Sequence, residues 1–299
     1  MKNIYKLILV LAIFCSASSA SATSLYLETS KNTVSAGDTF VVSVKVDSKS
    51  TAVNSIEGDI TIQSGDSLFQ VKEFSLAGSI FGLWPRTPSL SKDGRIVSFI
   101  GGVPGGFAID GATLFNIIIE AKKEGSIKIS PKNVVAFAND GNGSKVPVTL
   151  ESKTIIVNPS SENEIPNDEW SDIVAKDTKP PEEFIIVLGK EDSLFDGKKF
   201  AFFSAMDEVS GVSYYEVSEN GKPAVRSGST YVLQDQDISK VRLDVVAFDK
   251  AGNKRKASYT SPTYGLFGLS WVFYVIIIIM IIVRIIFKRR KRNNNLLNV

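Results

Sequence analysis

The sequence predicts an all-β protein, two antiparallel sandwiches in series, closed by one C-terminal transmembrane helix. Three observations lead there. From Leu25 to Val157, apolar residues recur with a period of two between turn formers. From Phe184 to about Ser261 the same pattern returns. Such alternation turns one set of side chains to a core and the other to solvent. Short strands with turns roughly every ten residues describe sandwiches. Third, Leu266 to Phe287 reads LFGLSWVFYVIIIIMIIVRIIF, with no acid and no base before Arg284.

Residues 1–22 read as a secretory signal peptide. Lys2 and Lys6 supply the charged start, Leu7 to Phe14 a short apolar run, and Ala20-Ser21-Ala22 a cleavage site. Cys15 is the one cysteine, and it falls in this leader. Phe14 precedes it where a lipid-attachment box needs a small residue. An exported chain without disulfides must hold its fold by core packing.

Residues 23–157 form the first sandwich. Phe40, Val42, Val44 and Val46 alternate with Val41, Ser43, Lys45 and Asp47; Ile56, Ile60 and Ile62 alternate with Glu57, Asp59, Thr61 and Gln63. Further strands are expected at Leu68–Phe74, Ile96–Ile100, Thr113–Ala121, Ser126–Ile129, Val134–Ala138 and Thr154–Val157. Gly37-Asp38, Asp93-Gly94, Gly105-Gly106 and Asp140-Gly141 mark turns between strands.

Four stretches of this region, in order and spacing, resemble a cohesin domain, within the wider group of jelly-roll sandwiches related to carbohydrate-binding modules. They are VSAGDTFVVSVKVDS (34–48), VNSIEGDITI (53–62), GGVPGGFAIDGATLFNIIIEAKKEGS (101–126) and NVVAFANDGNGSKVPV (133–148). The resemblance implies a non-catalytic, jelly-roll-like binding module. Its partner would be a dockerin-type protein module on one sheet face or, by fold kinship, a polysaccharide, in the setting of polysaccharide breakdown.

Residues 158–183 read as an extended linker, with eight acids, two bases and four prolines. Trp170 is its odd member and is expected to dock on a neighbouring domain, with a ligand role as the alternative. Residues 184–262 form the second, smaller sandwich. Phe200, Phe202 and Phe203 begin one strand, Tyr214, Tyr215 and Val217 mark another, and Val241, Leu243, Val245 and Ala247 a third. Glu219-Asn220-Gly221-Lys222 reads as a hairpin turn. DTKPP (177–181), DEVSGVSYY (207–215) and AFDKAGN (247–253) make this segment similar to immunoglobulin-like or fibronectin-like modules of bacterial surface proteins. In such modules these are structural turns, so the domain reads as a spacer.

Residues 266–287 are the anchor. Twenty-two helical residues, at about 1.5 Å each, reach roughly 33 Å, against a hydrocarbon core of about 30 Å. Trp271 and Tyr274 suit one interface. Arg284 can snorkel to the other, where Lys288, Arg289 and Arg290 open the basic tail of 288–299. This orientation leaves the sandwiches outside and the tail in the cytoplasm of a single-pass protein of the cell membrane. Lys250, Lys254, Arg255 and Lys256 make the charge asymmetry modest, so the leader sets the direction.

The net charge of +2 hides a split. Of 34 bases, two lie in the leader and six from Arg284 onward, so 26 remain against all 32 acids. A mildly acidic ectodomain argues against nucleic-acid binding. With no histidine, zinc sites built on histidine and Ser-His-Asp or Cys-His catalysis drop out. No G-x-S-x-G elbow and no phosphate-binding loop is present, and paired carboxylates of the glycosidase type are the one catalytic alternative; no enzyme, catalytic residue, metal or cofactor is expected.

The candidate ligand residues are Trp84, Phe81, Arg86 and Phe107. Phe81-Gly82-Leu83-Trp84-Pro85-Arg86 reads as a loop, where an exposed indole could stack on a sugar or anchor a partner. The alternative is that Trp84 and Phe81 plug the end of the sandwich. Phe107 follows two glycines that let another chain approach; the alternative is a core cover. Asn139 to Gly143 offers oxygen ligands of the kind calcium takes, but without the distal glutamate of an EF-hand it also reads as a plain turn. The competing reading of the whole chain is a structural envelope or adhesion protein whose sandwiches are spacers.

Overall fold

A computed structural model describes residues 23–48, 51–65, 67–161 and 165–262, with Ile278, Met280 and Arg284. The leader lies outside the described residues, as do Trp271, Tyr274, Lys288, Arg289, Arg290 and most of 266–287; Arg284 is helical. Among the described residues no helix is long and apolar enough to cross a membrane. The chain divides into two compact units, Met1–Lys179 with Met206–Gly211, and Pro180–Ala205 with Val212–Val299.

The first unit is a two-sheet sandwich. Its strands are β1 (Thr23–Glu28), β2 (Thr33–Ser35), β3 (Thr39–Asp47), β4 (Val53–Gln63), β5 (Phe69–Ser75) and β6 (Leu83–Leu90). They continue with β7 (Ile96–Phe107), β8 (Ala112–Ala121), β9 (Gly125–Ala138), β10 (Lys145–Val146), β11 (Val148–Leu150) and β12 (Lys153–Asn158). Sheet I has the order β11-β1-β3-β8-β5. Sheet II has the order β2-β12-β9-β4-β7-β6, with β10 beside β9. Leu25, Val42, Val44, Ile117 and Ile119 of sheet I meet Ile56, Ile60, Phe99, Ile127 and Ile129 of sheet II in one core.

Two ladders are parallel, β1 with β11 and β12 with β2, which qualifies the antiparallel expectation. The chain crosses from sheet I to sheet II between β1 and β2, and again between β11 and β12. The two crossing segments run side by side in one direction, so they pair parallel in both sheets and close that side of the sandwich.

The acidic segment is not extended throughout. Glu169–Lys176 is a helix, α1, capped by the Asp168 side chain, which accepts the Ser171 N–H at 3.0 Å. Trp170, Ile173 and Val174, three and four residues apart, form one face of it. That face covers Val41 and Ile118, which sit opposite each other on the outer side of sheet I, and Ala77. The Trp170 indole N–H donates to the Glu73 carboxylate. Glu169 accepts the Val41 N–H at 3.0 Å, and the Thr39 N–H bonds the Asn167 carbonyl at 2.8 Å. Val41 is thus an apolar residue in the solvent phase of its strand with a cover of its own.

A second correction concerns Leu83 to Arg86. It is not loop but part of β6, the edge strand of sheet II. An edge strand tolerates Pro85 and Pro88 because one of its sides needs no ladder N–H. Next to it, Gly101 of β7 lies under the Phe81 ring; a Cβ there would stand 2.2 Å from Phe81 Cδ2. Gly101→Ala must displace a ring only 3% exposed. We expect it to lower the stability of this unit by about 1–3 kcal/mol in chemical denaturation. A neutral result would mean that Phe81 is loosely packed.

Among the described residues the second unit has seven strands: β13 (Ile186–Lys190), β14 (Lys199–Phe203), β15 (Val212–Glu219), β16 (Val225–Ser227), β17 (Thr230–Val232), β18 (Arg242–Asp249) and β19 (Lys254–Thr260). They form a three-stranded sheet, β13-β14-β17, and a four-stranded sheet, β16-β15-β18-β19, about a core of Phe203, Val217, Leu243, Val245 and Ala247. Asn220 and Gly221 both have positive φ, 54° and 76°, as a tight primed hairpin turn requires.

Glu219, only 2% exposed, accepts the Tyr231 hydroxyl at 3.0 Å and the N–H groups of Gln234 and Asp235 at 2.8 and 2.7 Å. Burial, and then the Glu219 carboxylate, push the Tyr231 phenol up to about 12. The folded unit therefore keeps this proton to higher pH than the unfolded chain does. The stabilisation is complete below the ordinary value of 10.0 and is lost as pH rises through about 12. Tyr231→Phe should flatten the alkaline loss of stability of the second unit over that window, read by hydrogen exchange of the Val217 and Val245 amides. An unchanged slope would remove Tyr231 from the linkage.

Candidate docking face

The two outer faces of the first sandwich differ. Sheet I carries α1 across Val41 and Ile118. On sheet II, the inward residues of β4, β7 and β9 are Ile56, Ile60, Val97, Phe99, Ile129 and Ala136, all buried. The residues between them occupy the outer face.

Register sets those outer residues in rows across four strands. One row runs Phe137, Ser55, Gly102, Leu83. The next runs Val135, Glu57, Ile100, Arg86, and a third Lys132, Asp59, Ser98, Ser89. Ile96 stands opposite Thr61 in a fourth. Val135, Phe137 and Ile100 are half-buried, and Leu83 and Ile96 exposed. Four of the eight positions in the first two rows are apolar, beside Ser55, Gly102, one acid and one base, and the third row is polar.

The third row is held in place from within. Asp59 accepts the Ser98 hydroxyl at 2.7 Å and the Asn133 side-chain amide at 2.9 Å, and Thr61 donates to the Ser130 carbonyl at 3.0 Å. These bonds fix the polar side of the face before any partner arrives.

Of the residues singled out in the sequence, Arg86 alone lies on this face, exposed and opposite Ile100. Phe81 and Phe107 are 3% and 7% exposed. Trp84 is half-buried, with ring centroids 5.2 Å from Phe81 and 6.3 Å from Phe115; Phe81 and Phe107 lie 6.1 Å apart. The three aromatics form an edge-to-face cluster against the core, with the indole N–H buried and without a hydrogen-bonding partner. Ile100, Val135, Phe137 and Leu83 were not singled out. Their signal is present: each is apolar in the outward phase of a strand whose inward phase is already apolar.

The oxygen-rich turn at Asp140 is closed by its own bonds. Asp140 accepts the N–H of Asn142 at 2.9 Å and of Ser144 at 3.4 Å. The Ser144 side chain, then the Asn142 backbone, hold its carboxyl below the usual range. Asp207 accepts the N–H groups of Ser210 and Gly211 at 2.9 and 2.6 Å. Burial pushes its carboxyl above the usual range against the pull of those bonds.

No family model matches the chain, and no curated protein matches it. Solved structures it is similar to include cohesin modules. One is the cohesin module of a family 33 glycoside hydrolase from Clostridium perfringens, with 15% identity, 46% of this chain and 98% of that one covered, and a TM-score of 0.39. A non-cellulosomal cohesin from Archaeoglobus fulgidus has 17% identity, coverage of 48% and 94%, and a TM-score of 0.38. A chain of a type I cohesin–dockerin complex from Clostridium thermocellum has 12% identity, coverage of 48% and 99%, and a TM-score of 0.40.

Proposed function

We propose that the first unit is a non-catalytic protein-docking module, that its docking surface is the outer face of sheet II, and that 266–287 anchors it in the cell membrane. The observation that carries the docking role is the asymmetry between the faces. The chain covers the apolar row of sheet I with its own helix and leaves the apolar rows of sheet II half-exposed beside Glu57 and Arg86. Apolar side chains bordered by fixed polar groups suit a protein interface. The cohesin-like sequence stretches suggest a dockerin-type module as the partner class. Protein is favoured over polysaccharide because the indole singled out for stacking on a sugar, Trp84, is packed against the core with Phe81 and Phe107, which leaves Phe137 as the one aromatic in the outer rows.

The test is calorimetric titration of the full chain, in nanodiscs, with a panel of dockerin-type modules, alongside a glycan array. Saturable binding of a module supports the proposal. Binding confined to glycans overturns it. Absence of both, with ordered self-assembly of the sandwiches, would favour the spacer reading.

A further inference from the structure

We propose that the end of the second unit from which the chain leaves lies against the lipid surface, with Leu194, Phe195 and Ile238 as its contacts. The inference rests on reading 266–287 as the membrane anchor. It concerns a surface that the docking role does not use.

The exit point is fixed by hydrogen bonds. Beyond β19, the Ser261 N–H donates to the Val241 carbonyl at 2.9 Å, and its hydroxyl to the Ser239 carbonyl at 2.9 Å. The chain therefore departs beside the short turn Ile238–Lys240. That turn is tied in the same way to the β13–β14 hairpin. The Lys199 N–H and ammonium both bond Gln236, at 2.7 Å each. The hairpin tip, which carries Leu194 and Phe195, follows directly, and the Phe195 ring rests on Phe200 with centroids 5.1 Å apart.

Leu194, Phe195 and Ile238 are 48%, 41% and 42% exposed. Phe195 and the following Asp196 have φ of 51° and 56°. A bulky side chain in the left-handed region costs energy that the surroundings must offset. Within the unit, the contact with Phe200 and the turn's own hydrogen bonds contribute to that offset, and the rest of the ring faces outward. Among the charges nearby, Lys190 pairs with Asp192 at 3.1 Å and Lys240 with Asp237 at 3.2 Å, and Glu191 and Asp196 are matched in number by Lys198 and Lys199. The rim is thus polar with little net charge, as suits a headgroup layer. The opposite end of β18 and β19 is the turn Asp249 to Asn253, which has no large apolar side chain, although Ile185, just before β13, is 77% exposed at the end of that strand away from the hairpin tip.

Tether length decides the occupant. From Pro262 to Leu266 the chain advances four residues, which span at most about 14 Å when fully extended. An anchor starting at Leu266 therefore holds this end of the unit within about 14 Å of the apolar layer. No protein of ordinary size fits in that gap, and three exposed apolar side chains at the exit meet the interface first.

The test uses the full chain in nanodiscs with a Cys15→Ser background. A single fluorophore is placed by Phe195→Cys, Ile238→Cys, Lys250→Cys or Ile278→Cys, and quenched by nitroxide lipids. Lys250 lies at the far end of β18, about 23 Å away along the strand. We expect shallow nitroxide to quench positions 195 and 238 several-fold more than 250, and deep nitroxide to quench 278. Quenching at 278 with 195 and 238 as dark to nitroxide as 250 would overturn the apposition and keep the anchor. No quenching at 278 would overturn both.

Discussion

Trp170→Ala is expected to release residues 166–176 from sheet I and to lower the stability of the first unit by about 3–5 kcal/mol. The indole is 7% exposed in a cluster with Val41, Ala77 and Ile118, and its N–H is bonded to Glu73. Removing it takes away the only large side chain that α1 buries. An eight-residue helix is well below the roughly 12–15 residues at which isolated helices become even marginal. It therefore has no undocked helical form to fall back on, and the segment should leave as one piece. The Val41 amide reports this directly, since its N–H is held by Glu169 on that helix. Its hydrogen exchange should accelerate by about two orders of magnitude or more. Amides of Val42 and Val44, in the ladder with β8, should change far less. Trp170→Phe should restore part of the protection. Unchanged exchange at Val41 in the alanine variant would mean that the helix is held by its backbone and carboxylate contacts alone.

That helix also shows where sequence reading stopped. Averaged over 158–183, eight acids and four prolines describe a solvated tether. The composition hides a short amphipathic run, because Trp170, Ile173 and Val174 are few among many polar residues. The local signals were there: Asp168 three residues before Ser171 as a cap, and apolar residues at the third and fourth positions onward from Trp170. What no local rule supplies is the cover's destination. Val41 and Ile118 lie 77 residues apart and meet only once β3 and β8 pair.

The strands were more legible, because alternation is a property of each strand by itself. The inward phases of β3, β4, β15 and β18 are visible in the chain, and the structure buries them. β6 was hidden by Pro85 and Pro88, whose effect depends on whether a strand is central or edge, a fact of the sheet and not of the segment. The docking face was hidden for a related reason. Ile100, Glu57, Val135 and Arg86 come from four strands, and only register makes them one row. Trp84 drew attention by being large and among loop formers; the sheet turns it inward onto Phe81 and Phe115.

The double substitution Ile100→Thr with Phe137→Thr is expected to weaken capture of a dockerin-type module by about 30-fold or more, the equivalent of roughly 2 kcal/mol. Both positions are half-buried on the outer face, in adjacent rows of sheet II. Threonine keeps the β-branching of Ile100 and brings to position 137 a β-branched shape that a strand accepts, so the sandwich should fold much as before. What changes is the apolar surface a partner would bury. The core on the other side, Phe99 and Ala136, is untouched. Arg86→Ala, beside Ile100, should act mainly on the association rate and grow weaker with salt, because its guanidinium is exposed. Lys72→Ala, exposed on the edge strand of sheet I beside Glu120, should leave capture unchanged. If the Lys72 variant lost binding while the double variant kept it, the docking surface would belong to sheet I, and the covering helix rather than the bare rows would govern access to it.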